Sequence, residues 1–323
     1  MGIRKKFRFW IFIRNILLII AAILFIGVIS SQIITIYEKN KYPPLGQLVE
    51  VDGKNMHVYT KGKGANTIVL LSGLGTAAPA LDYEPLINEM AKDNRIVVVE
   101  TFGYGWSDVT NKERTVENIV EEIRTALKKA NIEGPYILMP HSVSGIYSMY
   151  YVNKYPNEIK AVIGIDCTLP QAVEYFDESP PVMPRYLSAI APIGIATLAV
   201  NMNPEEYLPI AEQGTYSDNN LEMTKAISAW KLTNKNIVAE ANEMNRNINK
   251  TSNMSFPPKI PVLIFAVKDD KVTEDGKTIV SFYQTQISDL RSNKLVVLEG
   301  HHYLHWSRYK EMSKIVNNFI GTF

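Results

Sequence analysis

Residues 16–36 read ILLIIAAILFIGVISSQIITI, 21 positions without a charged side chain. At about 1.5 Å of rise per residue this run reaches roughly 31 Å as a helix, close to the hydrocarbon thickness of a bilayer. It offers no polar face, so it does not suit the outside of a water-soluble domain. Arg4, Lys5, Lys6, Arg8 and Arg14 precede it, with Trp10 among them and no acidic residue before Glu38. Positive charge stays cytoplasmic, which predicts an inner N-terminus and a body outside the membrane. A cleaved leader carries an apolar stretch of about 7–15 residues and then an A-x-A-like site. This run is longer and no such site follows it. The expectation is a retained single-pass anchor over residues 1–40. The polar, Pro-containing stretch 38–47 (EKNKYPPLGQ) reads as a linker, and one domain follows over 41–323.

Beyond the anchor the charges nearly balance. Of the 34 basic and 33 acidic residues, 29 and 33 lie after residue 37, a balance of −4. A mildly acidic body without a basic stripe argues against a nucleic-acid partner. Cys167 is the single cysteine, so no disulfide forms within the chain; such a residue usually packs as a small buried side chain.

The body alternates between two patterns. LVEVDG and MHVYT around Asp52-Gly53 read as a hairpin. TIVLL (67–71), RIVVVE (95–100), YILMP (136–140), AVIGID (161–166), PVLIFAV (261–267) and KLVVLE (294–299) are short continuous apolar runs, as expected of strands buried on both faces. Helical spacing separates them: residues 80–92, ENIVEEIRTALKKA at 117–130, the stretch after Ser142, and 309–320. Alternation of this kind predicts an α/β fold, a mostly parallel sheet with helices on both faces. About 168–258 breaks the alternation and reads as a helical insertion that caps the sheet.

A serine stands where YILMP gives way to a helix: Pro140-His141-Ser142-Val143-Ser144-Gly145. A serine hydroxyl attacks a carbonyl only when a base takes its proton, and it must project from a sharp strand-to-helix turn. The pattern G-x-S-x-G serves that turn. Here the second residue before the serine is proline and the second after it is serine.

The segment resembles the nucleophile elbow of the α/β-hydrolase superfamily, in its prolyl-aminopeptidase- and esterase-like branch, and the resemblance extends over roughly 48–323. LLSGLG (70–75) is similar to that family's His-Gly loop, with Ser72 in the histidine position; the resemblance implies oxyanion donors at the amides of Leu74 and Val143. Glu100 with Gly103-Tyr104-Gly105-Trp106-Ser107-Asp108 resembles a structural box after the next strand. PVLIFAVKDDKV (261–272) is similar to the segment that carries the catalytic acid, which implies Asp270, with Asp269 one residue away; the family also draws its acid from an earlier strand, where Asp166 stands. EGHHYLHW (299–306) is similar to the segment of the base, which implies His302, with His301 as the alternative and His305 as structural. The order Ser142, Asp270, His302 is the order of the family triad, each residue at the carboxyl end of a strand.

The resemblance implies acyl transfer from an ester, small amide or peptide, with no cofactor and no metal. Tyr175, Phe176, Met183, Tyr186, Met202, Tyr207 and Trp230 in the insertion are candidates to line an apolar pocket. Other readings compete. The same fold without the reaction gives a catalytically silent binding protein, an alternative that the departures at Ser72, Pro140 and Ser144 leave open. Gly73-Leu74-Gly75-Thr76-Ala77-Ala78 nearly fits a dinucleotide fingerprint, but that leaves the serine turn and HHYLH unexplained. The cluster of His301, His302 and His305 lacks the H-E-x-x-H of a metal hydrolase.

Overall fold

The computed structural model describes residues 2–190, 194–232, 234–268, 272–287 and 292–323. A helix, α1 (Gly2–Lys41), opens the chain. Its apolar side chains are bare, Leu17, Ile23, Phe25 and Ile33 among them, and Arg8–Lys41 is long and apolar enough to cross a membrane. The polarity of 38–47 predicts a linker, yet α1 continues through Lys41 and the next residues are fastened to the body. Trp230 Nε1 donates to Glu38 Oε2 at 2.8 Å, Tyr42 Oη to Glu222 Oε2 at 3.0 Å, and Trp106 Nε1 to the Tyr42 carbonyl at 2.9 Å.

Among the described residues eight strands follow: β1 (Gln47–Val51), β2 (Lys54–Lys61), β3 (Thr67–Leu71), β4 (Arg95–Glu100), β5 (Tyr136–Pro140), β6 (Ile159–Ile165), β7 (Val262–Val267) and β8 (Lys294–Leu298). Asp52 and Gly53 hold φ at 50° and 71°, so the β1–β2 turn takes the doubly left-handed form that matches strand twist. The strands form one sheet in the order β1-β2-β4-β3-β5-β6-β7-β8. The pairs β1–β2 and β2–β4 are antiparallel and the others parallel.

The apolar runs have their physical reason in two covered faces. Val69, Leu71, Val97, Val99 and Leu138 point into one core layer, and Ile68, Leu70, Ile96, Val98 and Met139 into the other. The first layer is completed by α4 (Val116–Lys129) and α5 (Ser144–Lys154). The second is completed by α3 (Glu84–Met90) and the last helix, Tyr309–Ile320, with the short α2 (Pro79–Asp82) leading in. Thr115 caps α4 through its side chain, and basic Lys128 and Lys129 end it, as the helix dipole favours.

Between β6 and β7 lie α6 (Ala172–Phe176), α7 (Tyr186–Ile190), α8 (Ile195–Met202), α9 (Asp218–Lys231) and α10 (Lys235–Thr251). All five lie between two core strands, where the sequence places an insertion, and the last of them packs into the main core. α10 lies in the main core, where Met244 and Ile248 join Ile123 and Ile146. Asn236 Oδ1 accepts from the Thr110 amide and Asn247 Oδ1 from the Val116 amide, which fixes α10 to the start of α4. α11 (Ile279–Gln286), α12 (Leu304–Ser307) and α13 (Tyr309–Ile320) complete the chain.

Candidate active site

β5 ends at Pro140, His141 makes an isolated parallel bridge with Ile165, and the chain turns at Ser142, whose φ is 52°. A left-handed serine persists only where neighbours hold it. The Ser142 amide donates to the Ile165 carbonyl at 3.3 Å, and its own carbonyl accepts from Thr168 at 2.8 Å and Gly145 at 3.0 Å. Gly145 is the position that must be small, because an added Cβ would stand 2.4 Å from the Thr168 carbonyl oxygen.

The loop after β3 presses on this turn. A Cβ on Gly73 would lie 2.9 Å from Ser142 Cβ and 3.0 Å from His141 Nδ1. Ser144 Oγ donates to the Ser72 carbonyl at 2.5 Å. Two of the three departures from the family pattern, at 72 and 144, are thus bonded to one another. Among the described residues no acceptor is bound to the amide of Leu74 or of Val143. Tyr104 Oη accepts from the Gly75 amide at 3.4 Å and donates to Glu240 Oε2 at 2.9 Å, and Tyr147 Oη donates to Glu240 Oε1 at 2.6 Å. Burial pushes the Glu240 carboxyl up, against the opposing pull of Arg114 and the two phenols.

His302 reaches the turn from the far end of the chain. Its carbonyl accepts from His141 Nε2 at 3.1 Å, and the two rings lie 4.7 Å apart. His302 Nδ1 meets Asp166 Oδ2 at 2.6 Å, and Asp166 Oδ1 accepts from the Val267 amide at 3.3 Å. Among the described residues the carboxylate on this histidine is Asp166, directly after β6. Asp269 and Asp270 lie outside the described residues. Asp166 is adjacent to the turn because Ile165 and Thr168 bracket Ser142 through the backbone.

His301 is exposed and stacks on Tyr303 and Trp306. His305 is fully buried, its Nε2 2.6 Å from Asp82 Oδ2, while Trp306 Nε1 donates to Asp82 Oδ1 at 2.8 Å. Asp82 and His141 belong to the frame of the site, and sequence reasoning passed over both: Asp82 lies in no motif, and His141 fills a position that the G-x-S-x-G pattern leaves open. Burial, then the neighbouring His305 and His302, hold the His141 imidazole well below its ordinary range. With the ring neutral, Nε2 keeps the proton that it gives to His302.

Glu100 is buried. Burial alone would raise its pKa, but His57 beside it and the amides of Ala80 and Trp106 lower it overall. A Cβ on Gly105 would collide with this carboxylate, so the Gly-x-Gly-x-Ser box wraps an acid and holds a turn. Cys167 is buried, and burial followed by the charge of Asp166 pushes its thiol up to about 12, which leaves it inert.

Two hollows adjoin the site. One of about 720 Å³ runs from Asp166 and His302 along Phe176, Val272, Phe282 and Tyr283. A smaller one, about 150 Å³, lies between Gly75 and Thr76 on one side and Tyr207–Pro209 on the other. Among the described residues no group of His, Cys, Asp and Glu is placed to hold a metal ion.

A family model for the alpha/beta hydrolase fold matches residues 66–309. The chain is 32% identical over 321 residues to YbdG of Bacillus subtilis (strain 168), covering 96% of this chain and 98% of that one. An epoxide hydrolase from Vigna radiata has a similar structure, with a TM-score of 0.61, 18% identity and coverage of 86% and 98%. The enol-lactonase from Burkholderia xenovorans LB400 gives 0.55 at 16% identity, over 85% of this chain and all (100%) of that one. Likeness at such identities speaks for the fold alone. With the matched segment running from β3 to the last helix, the chain belongs to the alpha/beta hydrolase fold family.

Proposed function

We propose that the protein is a membrane-anchored serine hydrolase that cleaves an ester or a small amide or peptide bond through an acyl-enzyme on Ser142. The observation that carries this reading is the 2.6 Å contact of His302 Nδ1 with Asp166, on a histidine bonded to the residue before a left-handed serine. With Nδ1 committed to the carboxylate, Nε2 is the ring nitrogen left to act as base. It takes the Ser142 proton as Oγ bonds to the substrate carbonyl carbon. Asp166 keeps the ring in that tautomer and stabilises its charged form. Leu74 and Val143 offer amides to the oxyanion, each worth about 2.7–4 kcal/mol in the transition state. The tetrahedral adduct collapses, re-forming the carbonyl as the bond to the leaving alcohol or amine breaks; the leaving group takes the proton from His302, and water then releases the acid by the same route.

The hollow beside His302, where Phe176, Val267, Ile279 and Phe282 stand with Glu178 and Lys277, supports an acyl group with a hydrocarbon portion. The uncharged span of α1 and the basic residues before it support an anchor with the body on the outer side. The test is a fluorophosphonate probe and p-nitrophenyl ester turnover on the full chain in detergent, wild type beside Ser142→Ala. The variant is expected to lose labelling and turnover and keep its thermal midpoint; activity undiminished in Ser142→Ala would rule the mechanism out.

A further inference from the structure

Helix α8 has two apolar sides. Ala196, Thr197 and Val200 are buried against the protein, while Ile195, Leu198 and Met202 stand 48%, 60% and 69% exposed. The exposed three recur at i, i+3 and i+7, one stripe of the helix. No residue from Ile195 to Met202 carries a charge. A cap helix facing water would present polar side chains along that stripe.

The location of α8 supplies the reason. It is seated against the uncharged run of α1. A Cβ on Gly194 would stand 2.9 Å from Ser31 Cβ and 3.1 Å from the Gly27 carbonyl oxygen, and Thr197 Oγ1 lies 3.3 Å from Ser31 Oγ. Small residues at the crossing and a hydroxyl pair across it are how helices pack inside a bilayer. Ser31 and Gly27 lie five and nine residues inside Ile36, the end of that run, which is roughly 8 and 13 Å along the axis. If α1 spans the bilayer, the start of α8 lies below the surface.

We propose that α8 is a second membrane element, with its Ile195, Leu198 and Met202 stripe immersed among the acyl chains of the leaflet on the C-terminal side of α1. This rests on the reading of α1 as a span. The cap is then part of the membrane contact, and the body is held by two apolar elements.

The full chain is reconstituted in phosphatidylcholine vesicles with an environment-sensitive fluorophore on single introduced cysteines; the native Cys167 is buried and does not compete. Leu198→Cys and Met202→Cys report α8, Leu24→Cys reports the span, and Lys259→Cys reports an exposed polar site just before β7. Lipids with a nitroxide on the acyl chain are expected to quench positions 198 and 202 as strongly as 24, with a blue shift at each, and to leave 259 bright. Quenching at 24 with 198 and 202 behaving like 259 overturns the proposal and leaves the span intact. A bright signal at 24 removes the span, and the proposal with it.

Discussion

Ser142 is held in a conformation that its residue type avoids, and three backbone hydrogen bonds hold it there. The same contacts bring Asp166 to His302. Asp166→Asn is expected to lower kcat by up to about 10⁴-fold, the scale of losing the correct tautomer, while Asp270→Asn keeps most of the activity; ester turnover of the two variants decides between the carboxylates. The meeting of the Ser142 turn with the His302 segment was legible in the sequence, because each is a short run of distinctive residues. The contact of Asp166 with His302 was not legible, since Asp166, Asp269 and Asp270 all follow apolar strands in the sequence. His141 gives a pH effect with a defined sign. Its imidazole stays neutral in the fold well below the ordinary value of about 6.5, whereas the unfolded chain binds a proton there. Stability therefore falls as pH drops below about 6.5, by up to about 1.4 kcal/mol per unit for this group. His141→Gln is expected to flatten the decline in thermal midpoint between pH 7 and pH 5.

At the scale of elements, the β3 loop and the first turn of α5 are fastened by Ser144 Oγ and the Ser72 carbonyl. Ser144→Ala leaves that carbonyl without its donor, at a cost of about 1–3 kcal/mol. The expected result is a lower thermal midpoint together with a reduced kcat, as the Leu74 amide is carried by the same loop; an unchanged midpoint would assign the bond no weight. Most elements were legible. β3, β4 and β5 show as unbroken apolar runs because both faces of the sheet are covered. The membership of α10 in the core was not legible, because its position is set by Asn236 and Asn247 reaching loop amides far away in sequence. Residues 38–42 misled for a related reason: they are polar, and their partners Trp230, Glu222 and Trp106 lie in the body.

For the whole molecule, the proposed anchor predicts that the full chain stays with the membrane after alkaline carbonate extraction. Protease added to intact cells is expected to digest the body and spare a tag before Arg4. Release by carbonate, or loss of the tag, would set the orientation aside. The bonds from Glu38 and Tyr42 to α9 and Trp106 add a mechanical consequence. A domain on a slack leash sweeps a hemisphere and samples whatever drifts past. With α1 as the proposed span, this one would stand on a stiff post clamped at the neck, its mouth kept at one height and one bearing above the lipid plane. Its reach is set by what is delivered to that spot, and lengthening the chain between Lys41 and Gln47 would gain it no freedom until the neck itself let go.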